Sequence, residues 1–242
     1  MKKTMSTLAI AGLMTASPMA ISTAAAEWSA SGNVALTTDY IYRGISQTDS
    51  GAAVQGGFDL EHSSGFYAGV WASNLDFDDD ADIEIDYYAG FGGEFSNKIG
   101  YDVGVLYYDY PDSDSADTND YDFTEVYGGL SYDFGPAAVS LGINYSSDFF
   151  GTNTDNATYV AVGVDVPLPN DFGLSLHYGD QDVDVDGGSD FDYNDWKIGV
   201  SKSWKGFDFA LDYTDTDLND RTDCSDANIC DDRFIFTISK SL

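Results

Sequence analysis

The sequence has few basic residues, two cysteines and five prolines, and it lacks long apolar runs. Ten of its 242 residues are Lys or Arg against 42 Asp or Glu, which gives a formal net charge of −32 at pH 7. A field of that sign repels phosphate backbones and excludes DNA and RNA as partners. High charge can also cause disorder, but 15 Phe and 17 Tyr residues are spread along the chain and favour a folded protein.

The longest apolar run lies near the N-terminus and has the order of a secretory signal. Met1-Lys2-Lys3 precedes an apolar stretch at 8–14, and Ala24-Ala25-Ala26 follows it. Polar residues and Pro18 interrupt this region, so it is too short for a membrane-spanning helix. We therefore predict that residues 1–26 are a cleaved signal peptide and that residues 27–242 form the mature domain.

The two cysteines, Cys224 and Cys230, lie near the C-terminus with five residues between them. An exported protein meets an oxidising compartment, so we predict a disulfide that closes a small loop. A zinc site is the weaker alternative, because no histidine lies near either cysteine. No cofactor is predicted.

Apolar and polar residues alternate along the mature chain, which is the pattern of β-strands with one apolar face. In the first segment Trp28, Val34 and Leu36 share one parity, while Ser29 and Asn33 share the other. Twelve segments show this pattern, with the approximate spans 28–43, 52–62, 66–75, 82–95, 100–110, 121–132, 137–147, 157–166, 172–179, 193–204, 207–215 and 232–242.

The connections between these segments alternate in length. Those after even-numbered segments are short, such as Ser63-Ser64-Gly65 and Lys205-Gly206, and those after odd-numbered segments are mostly longer and rich in Asp. This alternation, with both termini on the short-turn side, is typical of a bacterial outer-membrane barrel. A soluble sandwich is the alternative, but its strands average about 5–6 residues, shorter than the segments here. We predict an all-β fold, a transmembrane antiparallel up-and-down β-barrel of twelve strands whose apolar faces contact lipid.

Aromatic residues near the segment ends fit the girdles of such barrels, and Tyr40 and Tyr42 are assigned to a girdle with them. Tyr67 and Trp71 leave the third segment ambiguous, because both of its faces are partly apolar. Two lysines occupy the apolar parity close to the short turns, where their amines can reach the interface; they are Lys202 and Lys240.

Four stretches carry a family resemblance: YRGISQ at 42–47, VQGGF at 54–58, GFYAGVWASN at 65–74 and EIDYYAG at 84–90. Together they resemble the TorF-type porin family. The resemblance implies an outer-membrane barrel with a porin role. It implies no particular substrate and no functional residue.

If the polar parity faces the lumen, charged side chains gather near the long-loop mouth. Arg43, Lys197 and Arg233 are expected on one wall, opposite Glu84 and its acidic neighbours, and such walls set a transverse field across a constriction. Acidic residues elsewhere predict a preference for cations. The predicted pore-lining residues are Asp39, Arg43, Gln55, Asp59, Glu84, Asp86, Glu125, Asp165, His177, Lys197, Asp212 and Arg233.

Two interpretations of the barrel stay open. The first is an outer-membrane porin for passive diffusion of small hydrophilic solutes. The second is a non-conducting barrel, plugged by salt bridges, with a structural or surface-binding role through its acidic loops. Expected partners in both are outer-membrane lipid and lipopolysaccharide, the barrel-assembly machinery during biogenesis, and divalent cations at the loops.

The sequence gives little support for a metal site or a catalytic site. Asp182, Asp184 and Asp186 begin like a calcium loop, but Tyr193 stands where an EF-hand has its bidentate Glu, so they are only a weak calcium candidate. Neither His62 nor His177 is expected at the outer rim, and no G-x-S-x-G motif is present. We predict that the protein is not an enzyme.

Overall fold

The structure is a computed structural model that describes residues 27–111, 113, 121–150, 154–185, 187–188, 190–219, 223–224 and 228–242. The predicted signal segment 1–26 and Asp186 of the calcium candidate lie outside the described residues. Within the described ranges there is no helix with the length and hydropathy needed to span a membrane.

The described residues form fourteen strands and one short 3-10 turn. The strands are β1 (Trp28–Thr37), β2 (Ile41–Tyr42), β3 (Ile45–Ser46), β4 (Ala53–His62), β5 (Phe66–Asn74), β6 (Ile83–Glu94), β7 (Ile99–Asp109), β8 (Phe123–Asp133), β9 (Ala138–Ser146), β10 (Thr154–Leu168), β11 (Phe172–Val185), β12 (Tyr193–Trp204), β13 (Phe207–Thr216) and β14 (Arg233–Ser241). The 3-10 turn, Pro169–Asp171, links β10 to β11.

Twelve of these strands, β1 and β4 to β14, form one closed antiparallel barrel. Each pairs with its neighbours along the chain, and the barrel closes where β1 meets β14, with Asn33 opposite Ser241 and Thr37 opposite Thr237. Closure pairs the backbone groups that an open sheet would leave at its edges. The predicted twelve-stranded antiparallel barrel is confirmed.

The short connections are tight because their residues adopt left-handed backbone conformations. Lys205 and Gly206, which link β12 to β13, have φ of 53° and 80°. Positive φ at both central residues is the geometry of the two-residue hairpin turn that matches the twist of paired strands. The short connections, the start of β1 and the end of β14 lie at the same end of the barrel, which is called here the short-turn end. The opposite end is the long-loop end.

Apolar side chains cover the outside of the barrel. Phe58, Phe234 and Trp28 are 68%, 69% and 60% exposed. They alternate with polar residues that face inward, because successive side chains of a strand point to opposite faces. A soluble protein buries such residues against a core, so this outer band is the inverse of a soluble fold.

The predicted first strand is too long. β1 ends at Thr37, and residues 38–52, called here the plug segment, turn into the barrel as the hairpin β2–β3. Tyr40 and Tyr42 were therefore assigned wrongly to an outer girdle, since Tyr40 is only 3% exposed and both hydroxyls bond to carboxylates of the barrel wall. Within the plug segment the chain reverses at Arg43 and Gly44, whose φ of 47° and 85° form the two-residue turn between β2 and β3.

Hydrogen bonds tie the plug segment to neighbouring loops. The Ser46 amide donates to the carbonyl of Ile229 at 2.9 Å, in the connection between β13 and β14. On the other side the Asp76 amide donates to the carbonyl of Gln47 at 2.8 Å. Two adjacent residues at the end of β3 thus hold the plug segment to two neighbouring loops.

A disulfide joins Cys224 to Cys230 in that same connection between β13 and β14. Cys230 is buried, and its carbonyl accepts a hydrogen bond from the Thr216 hydroxyl at 3.0 Å. The disulfide therefore closes the loop whose Ile229 carbonyl holds the plug segment.

Candidate functional site

The inward face of the barrel brings together ten of the residues predicted to line a pore. Antiparallel partners share a face, so the pairing register carries one face around the barrel, as from Ser73 to Glu84 and from Leu106 to Glu125. The ten residues are Gln55, Asp59, Glu84, Asp86, Glu125, Asp165, His177, Lys197, Asp212 and Arg233.

The other two predicted residues, Asp39 and Arg43, belong to the plug segment and not to a barrel strand. Arg43 was placed wrongly on a basic wall beside Lys197 and Arg233. It instead crosses the interior, where its Nη2 donates to Glu125 Oε1 at 2.6 Å and its Nη1 donates to Gln181 Oε1 at 2.6 Å. The guanidinium therefore bridges β8 and β11 from within.

Aromatic rings complete the surroundings of Arg43. Its guanidinium carbon lies 4.3 Å from the centre of the Tyr159 ring and 4.7 Å from that of Tyr42. The residue is 5% exposed. Burial alone would lower the pKa of Arg43, but the Glu125 carboxylate raises it, and the net pKa lies above the ordinary value. The plug is thus anchored by a permanent, desolvated charge.

The positive charges of the interior are matched locally and do not form one wall. Arg233 Nη1 lies 2.8 Å from Asp39 Oδ2 at the long-loop mouth. Lys197 interacts electrostatically with Asp212, Asp195 and Asp165. The three cations are therefore distributed among different carboxylates, and Arg43 and Arg233 form separate ion pairs.

The three acidic residues expected opposite the basic wall differ in their partners. Glu84 accepts hydrogen bonds from Tyr40 at 2.6 Å and Tyr110 at 2.8 Å. Glu125 is paired with Arg43 as described above. Asp86 is 8% exposed, and its buried Oδ1 has no hydrogen-bond partner. Of the three carboxylates, that of Asp86 is the one with an oxygen that lacks a hydrogen-bond partner.

Tyrosines of the plug and of the adjoining loop are shielded from solvent. Burial raises the pKa of Tyr40 well above 10.0, and Glu84 and Asp86 raise it further. Burial likewise raises the pKa of Tyr110 well above 10.0, again with help from Glu84. Both phenols stay protonated at neutral pH and act as hydrogen-bond donors to Glu84.

The core of the molecule lies inside the long-loop half of the barrel. Its buried members are Leu75, Ala81, Leu106, Tyr108, Tyr110 and Phe123, and Tyr42, Phe77, Tyr88, Tyr121, Tyr127, Phe149 and Phe150 pack against them. The rings of Tyr108 and Phe123 stack with centroids 4.1 Å apart. Alternation alone did not identify this cluster, because inward aromatic and inward polar residues have the same parity.

The short-turn half of the interior is open to water. Its inward positions carry mostly small or polar residues, and Ser31, Ser131, Asp165 and Ser203 are exposed. The inward positions of the other half, such as Tyr159, are almost fully buried. The lumen is thus a vestibule at the short-turn end that meets a packed plug toward the long-loop end.

Tyr67 and Trp71, left ambiguous by the sequence, both face the lumen. The Tyr67 hydroxyl donates to Asp102 at 2.8 Å and lies 2.5 Å from the Tyr127 hydroxyl. The Trp71 ring lies 5.4 Å from that of Tyr40. Aromatic residues therefore line the wall formed by β5 to β8.

His177 lies on the inward face of β11. Its Nε2 is 2.8 Å from the Tyr159 hydroxyl and 3.4 Å from Asp195 Oδ1.

The described residues of the calcium candidate, Asp182 and Asp184, lie apart from the lumen. Asp182 is exposed, and Asp184 accepts a hydrogen bond from Asn156. Among the described residues there is no group of His, Cys, Asp or Glu arranged to hold a metal ion.

A family model described as "Bacterial protein of unknown function (Gcw_chp)" matches residues 21–242. No curated protein matches the chain in sequence.

Several solved structures are similar to this chain in fold. The KdgM porin, solved with disordered oligogalacturonate, aligns with a TM-score of 0.57 and 9% identity over 88% of this chain and 99% of that one. An outer-membrane channel from Pseudomonas putida F1 aligns at 0.55 and 10%, over 88% and 94%. The NanC porin aligns at 0.53 and 9%, over 87% and 98%. At such identity the likeness concerns the fold alone.

Proposed function

The chain belongs to the Gcw_chp family of bacterial proteins of unknown function, and we propose that it is an outer-membrane channel for small hydrophilic solutes. The contrast between the apolar outer face and the polar inner face of the barrel wall supports this proposal most directly. Large apolar side chains such as Phe58 and Phe234 are exposed on the outside, while the inward positions are polar. Only a surrounding lipid makes that outer band favourable, and closed barrels are the β-structures that satisfy every backbone group in lipid.

The proposed path begins in the water-accessible vestibule at the short-turn end. It becomes narrow where the plug segment enters, because Arg43 and the aromatic core fill that half of the interior. An inward-folded connection of this kind would make the constriction and set the size limit. Twelve strands enclose a lumen between the filled interior of eight and the open channel of sixteen, which favours small solutes.

We propose further that the channel prefers cations. Arg43 and Arg233 are paired with Glu125 and Asp39, and Lys197 interacts electrostatically with Asp212, whereas Asp86 has a carboxylate oxygen without a hydrogen-bond partner. Uncompensated negative charge at a constriction attracts cations and repels anions. A polyanion such as the oligogalacturonate named with the KdgM porin is therefore not the expected solute.

Planar bilayers test the proposal. The refolded mature chain, residues 27–242, should give discrete conductance steps, with a reversal potential in a KCl gradient on the cation-selective side. A variant whose plug segment is replaced by a short Gly/Ser linker is the matched comparison and should conduct more. If neither protein conducts, although both show the folded, heat-sensitive band on a gel, the channel proposal is wrong.

The non-conducting barrel is the second candidate, and the plug segment favours it. Arg43 is held by two hydrogen bonds and is 5% exposed, so the plug is built into the fold as a packed element. In that case the wild-type chain would stay silent in the bilayer while the linker variant conducted. The acidic loops would then carry the function through divalent cations and the outer surface.

The cellular setting is part of the same proposal. We propose that residues 1–26 are removed on export, that the barrel-assembly machinery inserts the mature chain, and that lipid and lipopolysaccharide surround it. A porin role of the kind the TorF-type resemblance implies is in keeping with this setting. Cell fractionation followed by N-terminal sequencing of the mature protein tests it.

A further inference from the structure

Basic side chains are segregated to one end of this acidic barrel. In the described part of the chain, Arg43, Lys197 and Arg233 serve the interior, as shown above. The described basic residues outside the lumen all lie at the short-turn end; they are Lys98, Lys202, Lys205 and Lys240. Three of these, Lys202, Lys205 and Lys240, belong to β12, the β12–β13 turn and β14, and we call them the lysine patch.

Outward-facing aromatic rings hold the ammonium groups of the lysine patch. Lys202 Nζ lies 4.5 Å from the ring centre of Phe172, and Lys205 Nζ lies 4.5 Å from that of Trp204. Lys240 Nζ lies 4.8 Å from the ring centre of Phe207. A ring face orients an ammonium group without neutralising it, so the three charges remain available to an anion.

The pairing register explains why these residues form one surface. Lys202 pairs with Phe172 on one side and with Phe209 on the other, and Trp204 pairs with Phe207. Pairs across a sheet lie on the same face within about 5 Å. Lys202 therefore lies between two rings in one row, and Trp204, Phe207 and Lys240 lie together in the next, on the face that points away from the lumen.

A shallow, open groove lies between these side chains. It measures about 440 Å³ and is lined by Phe172, Lys202, Trp204 and Phe209. Lys202 donates to the main-chain oxygen of Asn170 at its rim, which leaves further ammonium protons for a ligand. Asp208, between two of the aromatic residues, points inward and accepts from Ser203, so it does not screen the patch.

We infer that the lysine patch binds the headgroup of an anionic phospholipid at the short-turn end of the barrel, with an acyl chain lying along the apolar groove. A phosphate accepts hydrogen bonds from ammonium groups, and the rings beside them provide an apolar surface for a hydrocarbon chain. Each lysine near an anionic headgroup region adds to the electrostatic attraction. The inference rests on the proposed membrane setting but not on conduction.

Fluorescence quenching tests this site. The full mature chain is reconstituted in phosphatidylcholine vesicles in which either phosphatidylglycerol or phosphatidylcholine carries brominated acyl chains, and tryptophan quenching gives the relative affinity of the two lipids. The wild type should prefer phosphatidylglycerol. The triple variant Lys202→Gln, Lys205→Gln, Lys240→Gln should lose this preference by about tenfold or more, which corresponds to the loss of several headgroup contacts.

Two control variants make the result specific. Lys98→Gln removes a lysine from the same end of the barrel but outside the patch, and it should keep the preference. Lys202→Arg with Lys240→Arg keeps the charge and should keep it as well.

Three results would overturn the inference. Equal quenching by both lipids in the wild type rules out the site, and so does a triple variant that behaves like the wild type. If neither brominated lipid quenches any tryptophan, the membrane setting itself is wrong and the site falls with it. A channel that fails to conduct leaves this readout unchanged, so the two proposals fail separately.

Discussion

At the residue scale, the pair of Arg43 and Glu125 decides how the interior is arranged. Both side chains are almost fully buried, 2.6 Å apart, and belong to parts of the chain separated by 82 residues. Desolvating two charges is unfavourable, and such a pair is tolerated when the remaining donors and acceptors are satisfied. Gln181, Tyr108 and Asn144 supply most of those bonds, while the buried Nε of Arg43 has no hydrogen-bond partner.

We expect Arg43→Met to destabilise the barrel by about 3 kcal/mol, because it leaves the Glu125 carboxylate buried without its counter-charge. Urea unfolding in detergent micelles measures the change. The double variant Arg43→Met with Glu125→Gln removes the isolated charge and should lose less than the sum of the two single variants. Additive losses would contradict a direct coupling between the two side chains.

Asp86 gives a second prediction at this scale. Asp86→Asn should lower the ratio of cation to anion permeability by about fivefold, since about 1 kcal/mol is the attraction between unit charges about 4 Å apart in water. Reversal potentials in a KCl gradient measure this ratio. Asp208→Asn is the matched control, because it removes one inward carboxylate at the short-turn end, away from the plug segment, and it should leave the ratio unchanged. Equal shifts in both variants would be evidence against Asp86 as the selective group.

The sequence indicated which residues share the interior but not which of them touch. Alternation with a period of two placed Glu84, Asp86 and Glu125 on one face, and the barrel strands keep that face. The partner of Glu125 could not be predicted in this way, because the pairing depends on a fold of the plug segment that no local pattern encodes. Asp86 became distinct only once its neighbours were seen to be paired with other groups.

At the element scale, the strands were predicted well where turn residues mark their ends. The span 193–204 agrees with β12 residue for residue. The largest errors are at β1, which ends at Thr37, and at β11, which continues to Val185. β11 was cut short because its outer part, with Asp180 and Asp182, reads like a loop although the ladder with β10 continues through it. The first strand was extended because Tyr40 and Tyr42 continue the alternation.

The turn at the tip of the plug hairpin gives a prediction for the element. A side chain at Gly44 would place its Cβ 2.4 Å from Thr216 and 2.8 Å from Asp195, so Gly44→Ala should displace the hairpin from the barrel wall. We expect a loss of stability of about 2 kcal/mol or more and a higher conductance. Urea unfolding and single-channel recording measure both.

Gly135→Ala is the control for this change. Gly135 also has a positive φ, at 94°, but nothing lies within 4 Å of the position of its Cβ. It therefore carries the same kind of backbone strain without the collision. If both variants behave alike, backbone strain and not the docking of the hairpin explains the result for Gly44.

At the scale of the whole molecule, the barrel divides into a wet half and a dry half. The vestibule at the short-turn end exposes Ser131 and Asp165, while Glu84 and Glu125 toward the other end are each 1% exposed. The packed half makes the barrel behave like a small soluble core enclosed in a sheet. Its stability should therefore depend on groups that are buried from water as well as on the surrounding lipid.

Alkaline pH should destabilise the molecule through these buried groups. Burial raises the pKa of Tyr40, Tyr42 and Tyr110 well above 10.0 in the folded chain, whereas the unfolded phenols ionise near 10.0. Above that pH the unfolded state loses protons that the folded state retains, so stability falls as pH rises. The slope is about 1.4 kcal/mol per pH unit for each tyrosine.

Urea unfolding between pH 8 and pH 12 tests this dependence. The contribution of these tyrosines to the free energy of unfolding should stay constant until the pH approaches the pKa of the unfolded phenols. Above that pH the free energy of unfolding should decline. Tyr110→Phe removes one titrating phenol and should give a shallower decline than the wild type. A curve that does not bend near pH 10, or an unchanged slope in the variant, would contradict the burial of these hydroxyls.

The reach of Arg43 has a consequence for the order of assembly. Its guanidinium bonds to Glu125 and Gln181, which are 82 and 138 positions further along the chain. Neither acceptor is in place until β8 and β11 have curved round to face β1, so the hairpin cannot dock on a nascent, unrolled sheet. The hairpin therefore docks among the last events of biogenesis. In a chain stalled before β1 pairs with β14, Arg43 would be left without its carboxylate partner, where lipid tails could reach it.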